Sequence, residues 1–294
     1  MVQSERRTDG RRFADEVATM DSAALAVKEG AALRPAVVVT GASSGIGLEL
    51  ARIAAREAPV VLIARSRDPL ARLAGEIIAA GGAAHPLPLD LGAGSQVAAV
   101  ENFLAEHGFY CDVLVNNAGF GLIGQADQLS RDEQLALIDL NIRALTDLTL
   151  AFLPGMMARG RGGVLNLSSI AGFLPGPHMA VYYASKAYAR SFSEALWEEC
   201  RRAGVTVSAL CPGPVETGFF ERAAGAAKKK PRLFELLPGD DARSVAEKGW
   251  RGFRAGRRIV IPGFGNKVVA AVAPVLPTRL VLWAVRKLQK SRAA

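Results

Sequence analysis

Tyr182 and Lys186 stand four residues apart in the run Tyr182-Tyr183-Ala184-Ser185-Lys186. On a helix that spacing puts both side chains on one face, about 6 Å apart along the axis. A phenol with a pKa of about 10 moves protons poorly at neutral pH. An ammonium beside it stabilises the phenolate and lowers that value. The tyrosine can then give a proton to a carbonyl oxygen or take one from an alcohol. Ser168-Ser169 follow an apolar stretch. A serine hydroxyl at such a strand end can hydrogen-bond the same oxygen as charge develops.

These groups need a scaffold, and the chain spells one out. Val37–Thr40 reads as a strand and Thr40-Gly41-Ala42-Ser43-Ser44-Gly45-Ile46-Gly47 as a glycine turn opening a helix over Gly45–Glu57. Glycine lets the backbone turn sharply and approach phosphates, and the helix N–H groups point at negative charge. Strands then alternate with helices. Val60–Ala64 precedes a helix over Pro69–Ala80, Ala84–Leu89 one over Ser95–His107, and Val113–Asn116 a long one over Arg131–Met157. Gly163–Leu167 leads to a helix over Val181–Arg202, and Val205–Leu210 to one near Ala242–Arg254 and a short strand Arg258–Ile261. Continuous apolar strands between helices predict an α/β fold, a doubly wound parallel sheet of Rossmann type in a single domain over residues 35–262. Residues 1–34 are polar and weakly periodic and read as a mobile extension. Residues 263–294 read as an amphipathic C-terminal helical extension.

Function in such a sheet gathers at the carboxyl ends of its strands. After the second strand an NAD site usually carries an acidic residue for the ribose 2′-OH. Here Ala64 is followed by Arg65, and a guanidinium suits a 2′-phosphate, so NADP(H) is expected over NAD(H). A solvated arginine is the plainer alternative. Asp90-Leu91 suit the adenine edge, or Asp90 a helix N-cap. Asn116-Asn117-Ala118-Gly119 suit a tight turn against the cofactor. Asn141, a poor helix former inside the long helix, either braces a neighbour or holds a water.

The chain resembles the short-chain dehydrogenase/reductase family over about residues 35–220, with a weaker tail to 262. The matching motifs are T-G-A-S-S-G-I-G at 40–47, N-N-A-G at 116–119, Asn141, N-L-S-S at 166–169, Y-Y-A-S-K at 182–186 and P-G-P-V-E-T at 212–217. The resemblance implies a tetrad of Asn141, Ser169, Tyr182 and Lys186, with Tyr182 the acid/base, Lys186 also on the nicotinamide ribose and Asn141 holding a relay water. It implies a cofactor site of Gly41, Ser43, Ser44, Gly45, Ile46, Gly47, Arg65, Asp90, Leu91, Asn117, Ala118, Gly119, Pro212, Gly213, Val215 and Thr217, the last two on the carboxamide. The reaction implied is hydride transfer between the nicotinamide and a carbonyl or secondary alcohol carbon. Among proteins of this kind homodimers and homotetramers are usual.

Phe120, Leu122, Phe173, His178, Phe219 and Phe220 are the candidate substrate-pocket residues. They are largely apolar and suit a lipophilic ketone, steroid-like or acyl substrate. The basic run Lys228–Arg232 suits an acyl-carrier phosphate or plain solvation. The chain of 294 residues has a net charge of +8. Its cations lie in scattered clusters and aromatics are 6%, so no nucleic-acid partner is expected. Three separated cysteines and three separated histidines form no disulfide framework or metal set. No N-terminal apolar core or bilayer-length apolar run is visible, so a cytoplasmic location is expected. The C-terminal segment combines Leu280, Val281, Ala284, Val285 and Leu288 with Arg279, Arg286 and Lys290. It suits a peripheral membrane contact, a subunit contact or a lid over the cleft. The rival to an enzyme is a nucleotide-sensing interaction protein with vestigial chemistry.

Overall fold

Alternate residues of β1 (Arg34–Thr40) point to opposite sides, and both sides are apolar: Val37 and Val39 feed one core cluster, Ala36 and Val38 the other. A strand buried on both faces belongs inside a covered sheet. The computed structural model describes residues 32–215, 218–219, 223 and 239–289. Its sheet has seven strands in the order β3-β2-β1-β4-β5-β6-β7, every pair parallel. The others are β2 (Val60–Ala64), β3 (Ala84–Pro88), β4 (Phe109–Asn116), β5 (Gly163–Leu167), β6 (Thr206–Leu210) and β7 (Ile259–Val260). The order reverses between β1 and β4, and a cleft opens at their carboxyl ends.

Helices α1 (Gly45–Ala54), α2 (Arg67–Ala79) and α7 (Ala242–Arg254) cover one face. Helices α3 (Val97–Glu106), α5 (Leu145–Arg159) and α6 (Ala180–Cys200) cover the other. Leu50, Leu62, Leu70, Leu114 and Leu148 are fully enclosed between these layers, each stabilising the fold by roughly 2 kcal/mol. Asp241 caps α7 by accepting from the Ser244 N–H at 2.9 Å. The doubly wound, single-domain expectation holds.

Local boundaries differ from the sequence reading at several elements. β4 begins at Phe109 rather than Val113. The first helix stops at Ala54, and Glu57 instead takes the Trp250 indole N–H at 2.7 Å, tying the α1–β2 turn to α7. The long helix expected over Arg131–Met157 is interrupted. α4 (Arg131–Ile138), with Ser130 accepting from the Glu133 N–H, gives way to a π-helical turn Asp139–Ala144 before α5. A π-turn inserts a residue into the helical spacing and re-aims what it carries; here it carries Asn141. Beyond β7, α8 (Phe264–Val272), a 3₁₀ turn Ala273–Val275 and α9 (Thr278–Gln289) complete the described chain.

Candidate active site

Two glycine-dependent contacts shape the floor of the cleft. Gly41 lies at φ +65°, where L side chains are strained, and a Cβ there would sit 2.7 Å from the Asn117 amide. A Cβ on Gly47 would collide with Asn117 and the Gly41 carbonyl. Asn117 is the brace behind this fit. Its Nδ2 donates to the carbonyls of Thr40 (3.0 Å) and Gly41 (3.1 Å), and its N–H donates to Thr40 Oγ1 (2.9 Å). Thr40 Oγ1 also accepts from the Ala118 N–H and donates to Val115 O. The turns after β1 and β4 are thus locked together before any ligand arrives. Asn116, which the sequence reading gave no separate role, donates to Thr149 Oγ1 and Asn166 Oδ1, both at 2.9 Å.

The cleft runs from this cradle in two directions. Gly41, Ser43, Ser44, Gly45, Ile46, Arg65, Asp90, Leu91, Asn117, Ala118 and Gly119 line one stretch; Ser169, Tyr182, Lys186, Pro212, Gly213 and Val215 line the other. Of the expected cofactor residues, Gly47 lies just behind the lining and Thr217 lies outside the described residues. Arg65 is exposed at the cleft edge and forms no ion pair among the described residues. Beside it Ser66 opens α2, and its side chain makes no capping hydrogen bond. Asp90 Oδ1 accepts from the Gly92 N–H at 3.0 Å, so it closes its own turn as well as lining the cleft.

Asn141, Ser169, Tyr182 and Lys186 converge on one end. Asn141 is buried; its Oδ1 accepts from the Phe120 N–H (3.1 Å), and its Nδ2 donates to Phe120 O (3.0 Å) and Ser185 Oγ (3.1 Å). Of the two roles left open for it, bracing is the one this geometry displays. Ser169 Oγ accepts from the Ala171 N–H (3.1 Å) and donates to Pro212 O (3.3 Å). Lys186 is buried, with Nζ donating to Leu167 O at 2.8 Å and lying 5.8 Å from the Tyr182 ring centre. Burial pushes its pKa down to about 8. Tyr182 as a whole is half-buried, yet the packed protein around its phenol raises its pKa well above the ordinary value; a Ser169 hydrogen bond pulls the other way. Desolvation is the largest influence on this phenol and favours its neutral form.

The duplicated residues separate cleanly. Ser168 Oγ donates to Lys186 O at 2.7 Å and so fixes the β5–α6 packing. Tyr183 turns into a cluster with Met179, Ala171, Val281 and Val285.

Of the expected pocket residues, Phe219 lines the cleft with its ring 5.3 Å from that of Tyr182. Leu122 lines a smaller neighbouring cavity with Met179 and Tyr182. Phe120, Phe173 and His178 are not among the residues that line this cleft. Phe120 is held by its backbone on Asn141, and Phe173 carries the Arg190 guanidinium 4.6 Å from its ring centre. His178 takes φ +66° in the turn before α6, where its carbonyl accepts from the Gly124 N–H. Phe220 and Lys228–Arg232 lie outside the described residues.

The residue the sequence reading missed is Gln289, the last of α9. Val281 and Val285 of that helix pack on Met179 and Tyr183, and Gln289 lines the cleft. Its Nε2 donates to Tyr183 Oη at 2.7 Å, while its Oε1 is buried with no partner among the described residues. The end of α9 thus reaches the cleft. A buried amide with one end unpaired is costly, and removing its remaining partner costs about 1–3 kcal/mol. Tyr183→Phe is accordingly expected to lower stability by roughly that amount. Tyr183→Phe with Gln289→Leu, which removes both polar ends, should recover most of it; urea unfolding of both variants checks this.

The sequence profile described as short chain dehydrogenase matches residues 35–227. The ketoacyl reductase HetN of Nostoc is 38% identical over 185 residues, covering 62% of this chain and 64% of HetN. A Sphingobium yanoikuyae short-chain dehydrogenase solved with NADPH is 32% identical with a TM-score of 0.70, covering 79% of this chain and 88% of that one. A Burkholderia phymatum short-chain dehydrogenase/reductase solved with NAD is 26% identical with a TM-score of 0.72, covering 83% and 94%. With the parallel sheet, the braced glycine turn and the Ser–Tyr–Lys cluster in one cleft, the chain belongs to the short-chain dehydrogenase/reductase family of oxidoreductases.

Proposed function

We propose that this protein reduces the carbonyl group of a lipophilic ketone or ketoacyl substrate to a secondary alcohol, using NADPH. The observation that carries this reading is the gathering of the Tyr182 phenol, the Ser169 hydroxyl and the buried Lys186 ammonium in the same cleft as the glycine cradle. The cradle fits a dinucleotide: its floor excludes a Cβ at Gly41 and Gly47, and α1 directs its N-terminal N–H groups to that end. Arg65 and Ser66 at the start of α2 supply a cation and a hydroxyl where a 2′-phosphate would lie. Val215, Pro212 and Gly213 would border the nicotinamide, with Lys186 at its ribose. When bound, the dihydronicotinamide supplies the hydride.

The chain's own residues handle the proton and the position of the carbonyl. Tyr182, being neutral, donates its phenolic proton to the carbonyl oxygen as that oxygen gains charge. Ser169 donates a second hydrogen bond to the same oxygen. Lys186 stabilises the phenolate left behind. Asn141 keeps the Phe120 backbone and Ser185 in place, and through Ser185 the helix that carries Tyr182 and Lys186. Phe219 and Met179 present apolar surface beside the phenol.

Oxidation of NADPH measured over ketones graded by size and polarity tests the reading; turnover confined to small polar carbonyls would count against it. The pH profile on the best ketone tests the lysine's part. Its folded-state pKa of about 8 means the ammonium is present at pH 7 and lost as pH rises through about 8. Reduction should therefore decline above that pH. A rate that stayed flat to pH 10 would remove Lys186 from the step.

A further inference from the structure

The two faces of the C-terminal helices differ in kind. Inward, Val281 and Val285 pack in a cluster with Met179 and Tyr183, and Gln289 lines the cleft. Outward, α8 exposes Phe264 and Val268, and the turn after it Val275 (79% exposed); α9 exposes Leu280 (49%) and Trp283 (54%). The sequence reading grouped Leu280 with Val281 and Val285, but the helix divides them between opposite sides. Large apolar side chains stacked in this way on a surface need a reason.

We propose that the outward face of α8 and α9 docks on an anionic lipid bilayer. Charge argues for that occupant. After Glu247 the chain contains eleven Lys and Arg and no Asp or Glu. Lys267, Arg279, Arg286 and Lys287 are exposed around the apolar residues and form no ion pair among the described residues. Lys287 Nζ sits 5.2 Å from the Trp283 ring centre, so aromatic and cation share the i, i+4 stripe of α9. An apolar stripe with tryptophan and flanking cations is suited to the boundary between headgroups and acyl chains. A second copy fits less well. A two-fold contact sets the same patch against itself, and here cations would meet cations. No helix among the described residues is long and apolar enough to cross a membrane, so the contact is peripheral. Because the end of α9 also reaches the cleft, a lipid-borne substrate would be met beside its entrance.

The surface is independent of the chemistry assigned to the cleft, and the test needs no turnover. The full chain is sedimented with vesicles of equal parts phosphatidylcholine and phosphatidylglycerol, and with phosphatidylcholine alone. Trp283 is the exposed one of three tryptophans, so docking should shift emission to the blue. We expect co-sedimentation with the anionic vesicles only, reduced by raising the salt. Leu280→Ser with Trp283→Ser, and separately Arg279→Glu with Lys287→Glu, should each weaken binding roughly tenfold or more. An unchanged melting temperature shows that the variants remain folded. Sedimentation equal on both vesicle types, or unaffected by both pairs of substitutions, overturns the proposal. So does a wild-type chain that ignores vesicles but self-associates until Leu280 and Trp283 are replaced; the occupant would then be a second copy.

Discussion

Tyr182→Phe should lower ketone reduction by about a thousandfold while NADPH still binds. The substitution removes one oxygen and little volume. Tyr182 closes the cleft against Phe219 and Tyr183 through its ring, which phenylalanine keeps. The Ser169 hydroxyl is still oriented by the Ala171 N–H and can turn its one proton from Pro212 O to a carbonyl, so the substrate can still be positioned. What disappears is the proton donor, and general acid catalysis of this kind contributes about 10² to 10⁴ in rate. Single-turnover oxidation of bound NADPH separates the two effects, since binding is read from fluorescence and chemistry from loss of the reduced ring. Weakened NADPH binding with intact chemistry would place Tyr182 in the cofactor site instead. Near-normal turnover would pass the proton to another group.

In the proposed mechanism burial favours the neutral phenol, and the lysine acts on the phenolate that follows. Lys186 is itself held near its titration point by burial and is anchored on the Leu167 carbonyl. Its charge matters once the phenol has lost its proton, because a buried phenolate has few other partners. On that reading, replacing Lys186 should depress reduction without displacing Tyr182.

Much of this site was legible because its parts lie at strand ends. Thr40 to Gly47, Asn116 to Gly119 and Ser168-Ser169 each follow an apolar β-branched run, and parallel topology brings such ends together. Tyr182 and Lys186 needed only helical spacing. The π-turn around Asn141 was not legible, since one added residue leaves the apolar pattern of a long helix almost intact. Phe173 and His178 both follow β5 in sequence, yet Phe173 lies under Arg190 and His178 serves a turn, placements that no local pattern marks. Gln289 reaches Tyr183 across 106 residues of chain, and nothing local marks it. The C-terminal helix showed its amphipathic character in sequence. Which of its apolar residues face inward depends on packing against Met179 and Tyr183, which no periodicity reveals.

Arg65→Asp should change coenzyme preference by roughly 10³, from NADPH towards NADH. Arg65 stands exposed at the cleft edge with no ion pair among the described residues. Its guanidinium is thus available to an incoming anion without breaking an existing bond. A charge-assisted hydrogen bond contributes about 1.5–3 kcal/mol. Losing it and adding a carboxylate that repels a 2′-phosphate compounds to the stated ratio. The same carboxylate accepts from a ribose 2′-OH, so NADH should gain as NADPH loses. Ser66 and the first N–H groups of α2 remain, which keeps some affinity for a phosphate. The measurement is kcat/KM for both coenzymes with one ketone, at low and at raised salt. Salt should narrow the wild-type preference, because an exposed cation acts through a screened field. A preference for NADPH that survived Arg65→Asp unchanged would assign 2′-phosphate recognition to Arg67 or to the α2 terminus alone.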